Sequence, residues 1–425
     1  MVQIRPLATG DSKDDYLDLR FRAFGVADEN RIWAGAEAAI AGESCLAAFD
    51  DGHLIGAALY YDLRQWWHGK ALPLAGVAGV KVAPEYRSRG VGRALMTELT
   101  QLMTERGYPL AALYAATSPF YRSLGWERAG AVATAAVPSR SLLALVHPDI
   151  APGSAVVPAV RRAGPGDAAE VIAVLGRAYE AARDCGPVTF DEGTVQQWLT
   201  HGRWAGKDRY AYLADDGFLA YGWHGDRGDM VVDKLVAVSP ETTRALWSVV
   251  ASHSSIAHTI GAQVAPADPI WWLLREQPAF PGEHAFPGKS VFSSKHVFPG
   301  KQGEPVRREW WMLRVLDARA AIAGRGFPSI DIDIPLHITD DQVPANTGSW
   351  TLTIRSGAGS LVPAAASMST FTGAIQLGAR GLAALYAGVP VSTLRTVGLA
   401  DGGNPECDAA LDSVFAGTAF MLDEF

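Results

Sequence analysis

The chain has 425 residues, of which 48% are hydrophobic and 19% charged. At roughly 150 residues per unit this suggests about three folded units with ample core, and it excludes a disordered chain. Lys and Arg number 37 against 45 Asp and Glu, a net charge of -8, which disfavours nucleic acid as a partner and suits cationic ligands.

From the N-terminus, MVQIRPLATGDSKDD carries no apolar signal segment, and no uncharged apolar run approaches the roughly 18 residues of a membrane span. Cys45, Cys185 and Cys407 are odd in number, far apart and without CxxC spacing, which argues against a disulfide framework or a zinc site. A cytoplasmic protein with no membrane span is expected. A helix is expected over Asp15 to Phe24, then strands over Ser44 to Phe49 and Leu54 to Tyr61 around the Asp50-Asp51-Gly52 turn. Val77, Val80 and Val82 read as a buried strand that Pro84 ends, and the next helix carries Val91, Leu95, Leu99 and Leu102 on one face.

Between that strand and helix lies Arg87-Ser88-Arg89-Gly90-Val91-Gly92. Glycines 90 and 92 let backbone N–H groups approach an anion, the helix start adds its positive end, and Arg87, Arg89 and Arg93 add charge, so the loop is a pyrophosphate cradle by mechanism. GxxxxGK[ST] is absent and Leu95 stands where a dinucleotide fingerprint needs glycine, which removes the P-loop and Rossmann readings. Next, AALYAATSPFYRSLGW at 111 to 126 gives a strand, a break at Ser118-Pro119 and Tyr-x-x-x-Gly-Trp.

Residues 132 to 160 are rich in Ala, Val and Pro with few charges and read as an edge strand and a connection, with a boundary near 150. LVAVSPETTRALWSVV at 235 to 250 echoes KVAPEYRSRGVGRALMTEL at 81 to 99 without its RSRGVG core, as a duplicated unit that lost the loop carrying chemistry would. Phe-Pro-Gly recurs at Phe280, Phe286 and Phe298 within a long loop, 279 to 300. WWMLRVLDARAAIAGRG then reads as a strand and a helix ending at Gly324 or Gly326, and SIDIDIPLHI with TGSWTLTIRSG as a hairpin with one wet face. Helices over Thr372 to Ala387 and Pro405 to Phe415 complete an α+β unit, and the apolar AFMLDEF stretch is expected to be docked. Trp66-Trp67 and Trp271-Trp272 suit core or subunit packing.

RxxGxG after a Val-x-Val strand resembles the acetyl-CoA loop of the GCN5-related N-acetyltransferases (GNAT), and the Tyr-x-x-x-Gly-Trp segment resembles the one that sets a tyrosine beside the coenzyme sulfur. With a degenerate repeat, a sterol-carrier-like third unit and a terminal Phe, the chain resembles the enhanced intracellular survival (Eis) family. The fold class so implied is α/β: a catalytic GNAT domain (1-150), a degenerate GNAT-like domain (151-305) and an α+β sterol-carrier-protein-like domain (306-425). The implied activity is acetyl-CoA-dependent N-acetylation of polycationic amines such as aminoglycosides, at several positions, or of protein lysines, in a homo-hexamer. The rival is a lipid-binding or interaction protein with vestigial CoA affinity.

Carried over from that family, Tyr121 is the acid and the Phe425 carboxylate the base. Val80, Lys81 and Val82 hold the pantetheine arm, Arg87, Ser88, Arg89, Gly90, Val91, Gly92 and Arg93 the pyrophosphate, and Ala116 and Thr117 the thiol end. Asp28, Glu29, Trp33 and Glu424, with Asp423, are candidates for the wall around a cationic acceptor. The ten histidines form no HExxH or ligand spacing and no GxSxG elbow is present, so no metal is expected. The 279 to 300 loop is longer than the family suggests, and the substrate loop diverges.

Overall fold

The computed structural model describes residues 2–25, 29–146, 158–206, 208–224, 229–257, 259–274, 306–364 and 373–425. The Phe-Pro-Gly segment and Asp28 lie outside the described residues. The N-terminal unit contains β1 (Gln3–Pro6), α1 (Lys13–Phe24), α2 (Glu29–Ala41), β2 (Cys45–Asp50), β3 (His53–Trp67), β4 (Lys70–Val82), α3 (Val91–Glu105), β5 (Leu110–Tyr114), α4 (Ser118–Arg122) and β6 (Glu127–Pro138). Ser12 caps α1 by accepting the Asp15 N–H at 3.1 Å, the ordinary way to satisfy an orphan donor of the first turn. Helix α3 buries Val91, Leu95, Met96, Leu99 and Met103 against the sheet. Leu102 lies at the margin of that face, only partly buried.

The middle unit repeats this plan. It runs α5 (Leu143–Val146), β7 (Arg161–Arg162), α6 (Ala168–Ala182), β8 (Cys185–Thr189), α7 (Glu192–Thr200), β9 (Arg209–Ala214), β10 (Gly217–His224), β11 (Asp229–Ala237), α8 (Pro240–Ala251), β12 (Thr259–Val264) and α9 (Ile270–Leu273). The strand-helix-strand unit β11-α8-β12 corresponds to β4-α3-β5, which gives the sequence echo its structural meaning: both flanking strand pairs are parallel.

The last unit comprises β13 (Val306–Val315), α10 (Ala318–Gly324), β14 (Ile332–Thr339), β15 (Gly348–Arg355), β16 (Ala358–Pro363), β17 (Ile375–Gly378), α11 (Ala379–Tyr386), α12 (Val391–Thr396), β18 (Ala400–Gly402), α13 (Pro405–Phe415) and β19 (Phe420–Met421). Its own sheet has the order β16-β15-β14-β17-β18. The expected hairpin is β14 with β15, in the register Ile332↔Ile354 through Ile338↔Gly348. The helix expected from Thr372, itself outside the described residues, is preceded by a strand: Ile375 and Leu377 point inward and Gln376 outward, and this period-two stretch joins β14 in parallel before α11 begins at Ala379.

The large sheet runs β1-β2-β3-β4-β5-β13-β6-β12-β11-β10-β9-β7, with β8 added to β3 and β19 to β6. Strand β6 is therefore central, a correction to its reading as an edge strand; its scarcity of charge reflects neighbours on both sides. Strand β13 fills the slot between β5 and β6, so the third unit begins inside the first unit's sheet. Two charged contacts rivet this junction. Arg314 of β13 donates to Asp340 at 2.6 Å with both side chains buried, and Asp340 also accepts from the Val343 N–H and Asn346 Nδ2, the added hydrogen bonding that a buried pair requires. Glu127 accepts from Arg122 at 2.7 Å and from Arg380 of α11 at 2.6 Å. The three cysteines are buried and unpaired, and no helix among the described residues is long and apolar enough to cross a membrane.

Candidate active site

The site begins with a strand pair that separates. Strands β4 and β5 are parallel partners only over Leu74–Val77 with Leu110–Leu113; β4 continues to Val82 while β5 ends at Tyr114. A register shift against β3 lies between Ala57 and Leu59, and such a bulge bends the strand away from its neighbour. The β4 edge from Ala78 onward thus lies beyond the β5 pairing, with backbone donors and acceptors available to an extended ligand arm. Val80 and Val82, both partly buried, line this edge.

At the end of β4, the loop turns through left-handed Ser88 (φ 61°) and Gly90 (φ 85°) into α3. A Cβ on Gly90 would meet no protein atom within 4 Å. The restriction there is conformational, and the space in front of the loop is free for a ligand. The first N–H groups of α3, from Val91, Gly92 and Arg93, have no partner within the helix. Arg93 donates to Ser123 Oγ at 2.7 Å and so ties the loop to α4. Arg87 reaches the Val82 carbonyl at 3.4 Å, and Arg89 lies 5.3 Å from the centre of the Tyr86 ring. These features fit a pyrophosphate.

Lys81 behaves differently from its neighbours. Its ammonium sits on the opposite side of β4, 3.8 Å over the Tyr16 ring and 3.3 Å from the Gly79 carbonyl. Burial pulls it down to about 7. Only its backbone can serve a ligand in the cleft.

Ala116 and Thr117 form the turn from β5 into α4, whose first helical positions include Pro119. Tyr121 on α4 is buried, with Phe120 at 4.9 Å and Trp126 at 6.3 Å between ring centres. Burial pushes its hydroxyl up to about 12, so the group keeps its proton at neutral pH. Phe425 lies against the same strands from the other face. A Cβ on Gly76 of β4 would come within 3.0 Å of its ring, and Tyr114 meets the ring edge-on at 5.5 Å. Successive β5 residues point to opposite faces: Leu113 shares a core with Tyr121, and Tyr114 shares another with Phe425.

The remaining tail is held by residues that sequence reasoning did not select. Tyr114 donates to the Asp423 carbonyl at 2.6 Å, Arg203 to that of Glu424 at 3.0 Å, and Lys234 to the Asp423 carboxylate. The signal that could have found Lys234 is Asp-Lys inside the strand VVDKLVA, because charges buried in a strand require partners. Of the expected acceptor wall, Glu29 opens α2 and is exposed. Trp33 packs edge-on against Tyr16 at 6.0 Å beneath the Lys13 ammonium, so part of its surface is used by the protein itself. Among the described residues no cluster of three His, Cys, Asp or Glu could hold a metal ion.

Comparison with known proteins agrees with this geometry. GNAT acetyltransferase domain models match residues 3–129 and 192–289, and a sterol carrier protein domain model matches 318–422. N-acetyltransferase Eis of Mycobacterium tuberculosis is 31% identical over 234 residues, 52% of this chain and 56% of the relative; the chain thus spans about half the length of the curated relatives it matches. An uncharacterized N-acetyltransferase of Streptomyces avermitilis is 24% identical over 363 residues, 80% of this chain and 79% of the relative. The crystal structure of a GCN5-related N-acetyltransferase from Kribbella flavida is similar at a TM-score of 0.85 and 37% identity, covering 100% of this chain and 98% of that one. Eis1 from Mycobacterium abscessus, at 22% identity, a TM-score of 0.73 and full coverage of both chains, shares the fold. With that likeness over the full length and two acetyltransferase domain matches, the chain belongs to the GCN5-related N-acetyltransferases.

Proposed function

We propose that this protein transfers the acetyl group of acetyl-CoA to amines of polycationic acceptors, aminoglycosides among them and at more than one nitrogen, with Phe425 as base and Tyr121 as acid. The observation that carries the reading is the seating of Phe425: its ring lies on Gly76 and Tyr114 beside the β4–β5 cleft, far in sequence from the loop that suits pyrophosphate. Acetyl-CoA supplies an activated acetyl group as a thioester. The Arg87 to Arg93 loop binds the anionic end, and the Val80–Val82 edge aligns the arm.

At neutral pH the acceptor arrives as an ammonium and must lose a proton before its nitrogen can attack. An exposed α-carboxyl, with a pKa of about 3.3 to 3.7, is a weak base for taking a proton from nitrogen, so the reading requires that acetyl-CoA and the acceptor shield the carboxylate from water when they fill the cleft. Loss of the ammonium proton to solvent leaves a neutral amine, and as its nitrogen forms the C–N bond the Phe425 carboxylate takes the second proton that the nitrogen must shed. The C–S bond breaks and the sulfur takes a proton from Tyr121, whose desolvated hydroxyl is available as a donor. The net charge of -8 and Glu29 favour a cationic acceptor over an anionic one.

The test is thiol release from acetyl-CoA with a panel of aminoglycosides and lysine peptides. Release with aminoglycosides, and product mass showing more than one acetyl group, is the expected result. Release with lysine peptides alone would move the assignment to protein acetylation, and no release with any amine would overturn it in favour of a ligand carrier. Sizing of the intact protein tests the expected hexamer.

A further inference from the structure

The middle unit has the same parallel strand pair as the first but lacks its anion loop. Strands β11 and β12 pair over Met230–Val232 with Ile260–Ala262, as β4 and β5 pair over Leu74–Val77 with Leu110–Leu113. The residue that follows the last pair is Tyr114 in one unit and Gln263 in the other. These two side chains meet consecutive carbonyls of one segment: Tyr114 donates to Asp423 at 2.6 Å, and the Gln263 amide, with its nitrogen assigned to the side that faces two carbonyl acceptors, donates to Leu422 and to Asp233.

We propose that the β11–β12 cleft of the middle unit has become the receptor for the chain's own C-terminal segment, with Lys234 and Arg203 as positioning residues that hold Asp423 and thereby set the place of Phe425. Lys234, on β11, forms an ion pair with Asp423 in which both side chains are buried. The Tyr179 hydroxyl lies 3.3 Å from the same ammonium, and Arg203 adds a second cation 3.5 Å from the Asp423 carboxylate. Room for the segment is built in on both sides. A Cβ on Gly130 of β6 would overlap the Ala419 carbonyl, and one on Gly186 of β8 the Phe420 carbonyl. Between them β19 pairs with β6 in the register Phe420↔Ala131 and Met421↔Val132.

The chemistry explains the choice of residues. A buried carboxylate costs too much unless paired, and the penalty of leaving it unpaired makes any other seating of the tail unfavourable. Only Glu424 separates Asp423 from Phe425, a short span that leaves the last carboxylate little freedom. Misplacement of a reacting group by about 1 Å can cost on the order of 100-fold in rate.

The effect on turnover rests on the reading of Phe425 as base; the anchoring does not, and the experiment separates them. Hydrogen–deuterium exchange of the 420–425 amides in the full-length protein reports the anchor directly, with peptides from α3 as an internal control. Asp423→Asn keeps the shape and removes the charge; Arg203→Met is a milder change at the rim of the pair in case the first variant folds poorly. Expected is exchange of the tail amides about 10-fold faster or more in Asp423→Asn and a few-fold faster in Arg203→Met, with α3 unchanged. Turnover should fall about 10- to 100-fold through kcat, with the KM for acetyl-CoA unmoved. Tail exchange equal to wild type in both variants overturns the proposal. Faster exchange with unaltered kcat upholds the anchor and removes Phe425 as the base.

Discussion

Two buried lysines on corresponding strands of the two repeated units have met the same cost in different ways. Lys81 of β4 and Lys234 of β11 are each almost fully shielded, at 3% and 1% exposure. Burial pulls both below the ordinary lysine value, because a low-dielectric surrounding disfavours the ammonium. Lys81 lies over an aromatic ring, with Cys45 and Arg20 as the groups that act on it. Lys234 has a carboxylate partner in Asp423, which pulls its affinity for the proton back up. The difference follows what each cleft contains. In the unit with the RSRGVG loop, a Cβ on Gly90 would meet no protein atom within 4 Å and the lysine of the strand before it is a core residue; in the unit without that loop, the lysine pairs with Asp423 of the 420–425 segment.

The sharpest way to break this contrast is at the segment's end. Removing Phe425, or extending the chain by one glycine, should lower turnover about 1,000-fold, while calorimetry shows acetyl-CoA still binding, since its loop is elsewhere. Equal rates for N-terminally and C-terminally tagged enzyme would remove the terminal carboxylate from the mechanism. Tyr121→Phe keeps the packed ring and deletes the donor, so kcat should fall about 100-fold with coenzyme affinity retained. A variant with most of its kcat would leave Tyr121 a core aromatic and nothing more.

A smaller effect tests the loops against each other. Gly90→Val forces a β-branched residue into φ 85° and puts methyl groups into the space kept for an anion, so acetyl-CoA affinity should weaken about 10-fold or more in a folded protein. Glu241→Val, near the start of the corresponding helix α8, should leave affinity unchanged, because that unit has no cradle. Loss of binding in both variants would show that the middle unit takes part in coenzyme binding.

The smallest expected change concerns stability. Lys81 binds its proton with a pKa of about 7 when folded and 10.5 when unfolded. Between these values the unfolded chain holds more protons, so this residue makes stability rise with pH from about 7 to 10.5; below about 7 its burial penalty is present in full. Lys81→Met should remove that slope and stabilise the protein by about 1–2 kcal/mol near pH 7, with the gain vanishing above pH 10.5. Urea unfolding at pH 6, 8 and 10 measures it. A slope that survives the substitution would belong to another group.

Local chemistry was legible in the sequence wherever neighbours along the chain decide it. The RSRGVG turn, the 91–105 helix and the 332–355 hairpin all follow from glycine placement and apolar period, since each is built from contacts a few residues apart. The echo at 235 to 250 likewise exposed the duplication, because a repeated strand-helix unit repeats its pattern. Partners distant in the chain were not legible. No periodicity says that β13 enters the sheet between β5 and β6, that β6 is central, or that Gln376 lies in a strand ahead of α11; strand pairing is a choice among distant edges that only the assembled core makes. Nor does a run such as AFMLDEF disclose what buries it. Its apolar residues predict docking somewhere, but the pairing of Asp423 with Lys234, 189 residues away, exists because folding brings two desolvated charges together at a distance no local pattern records.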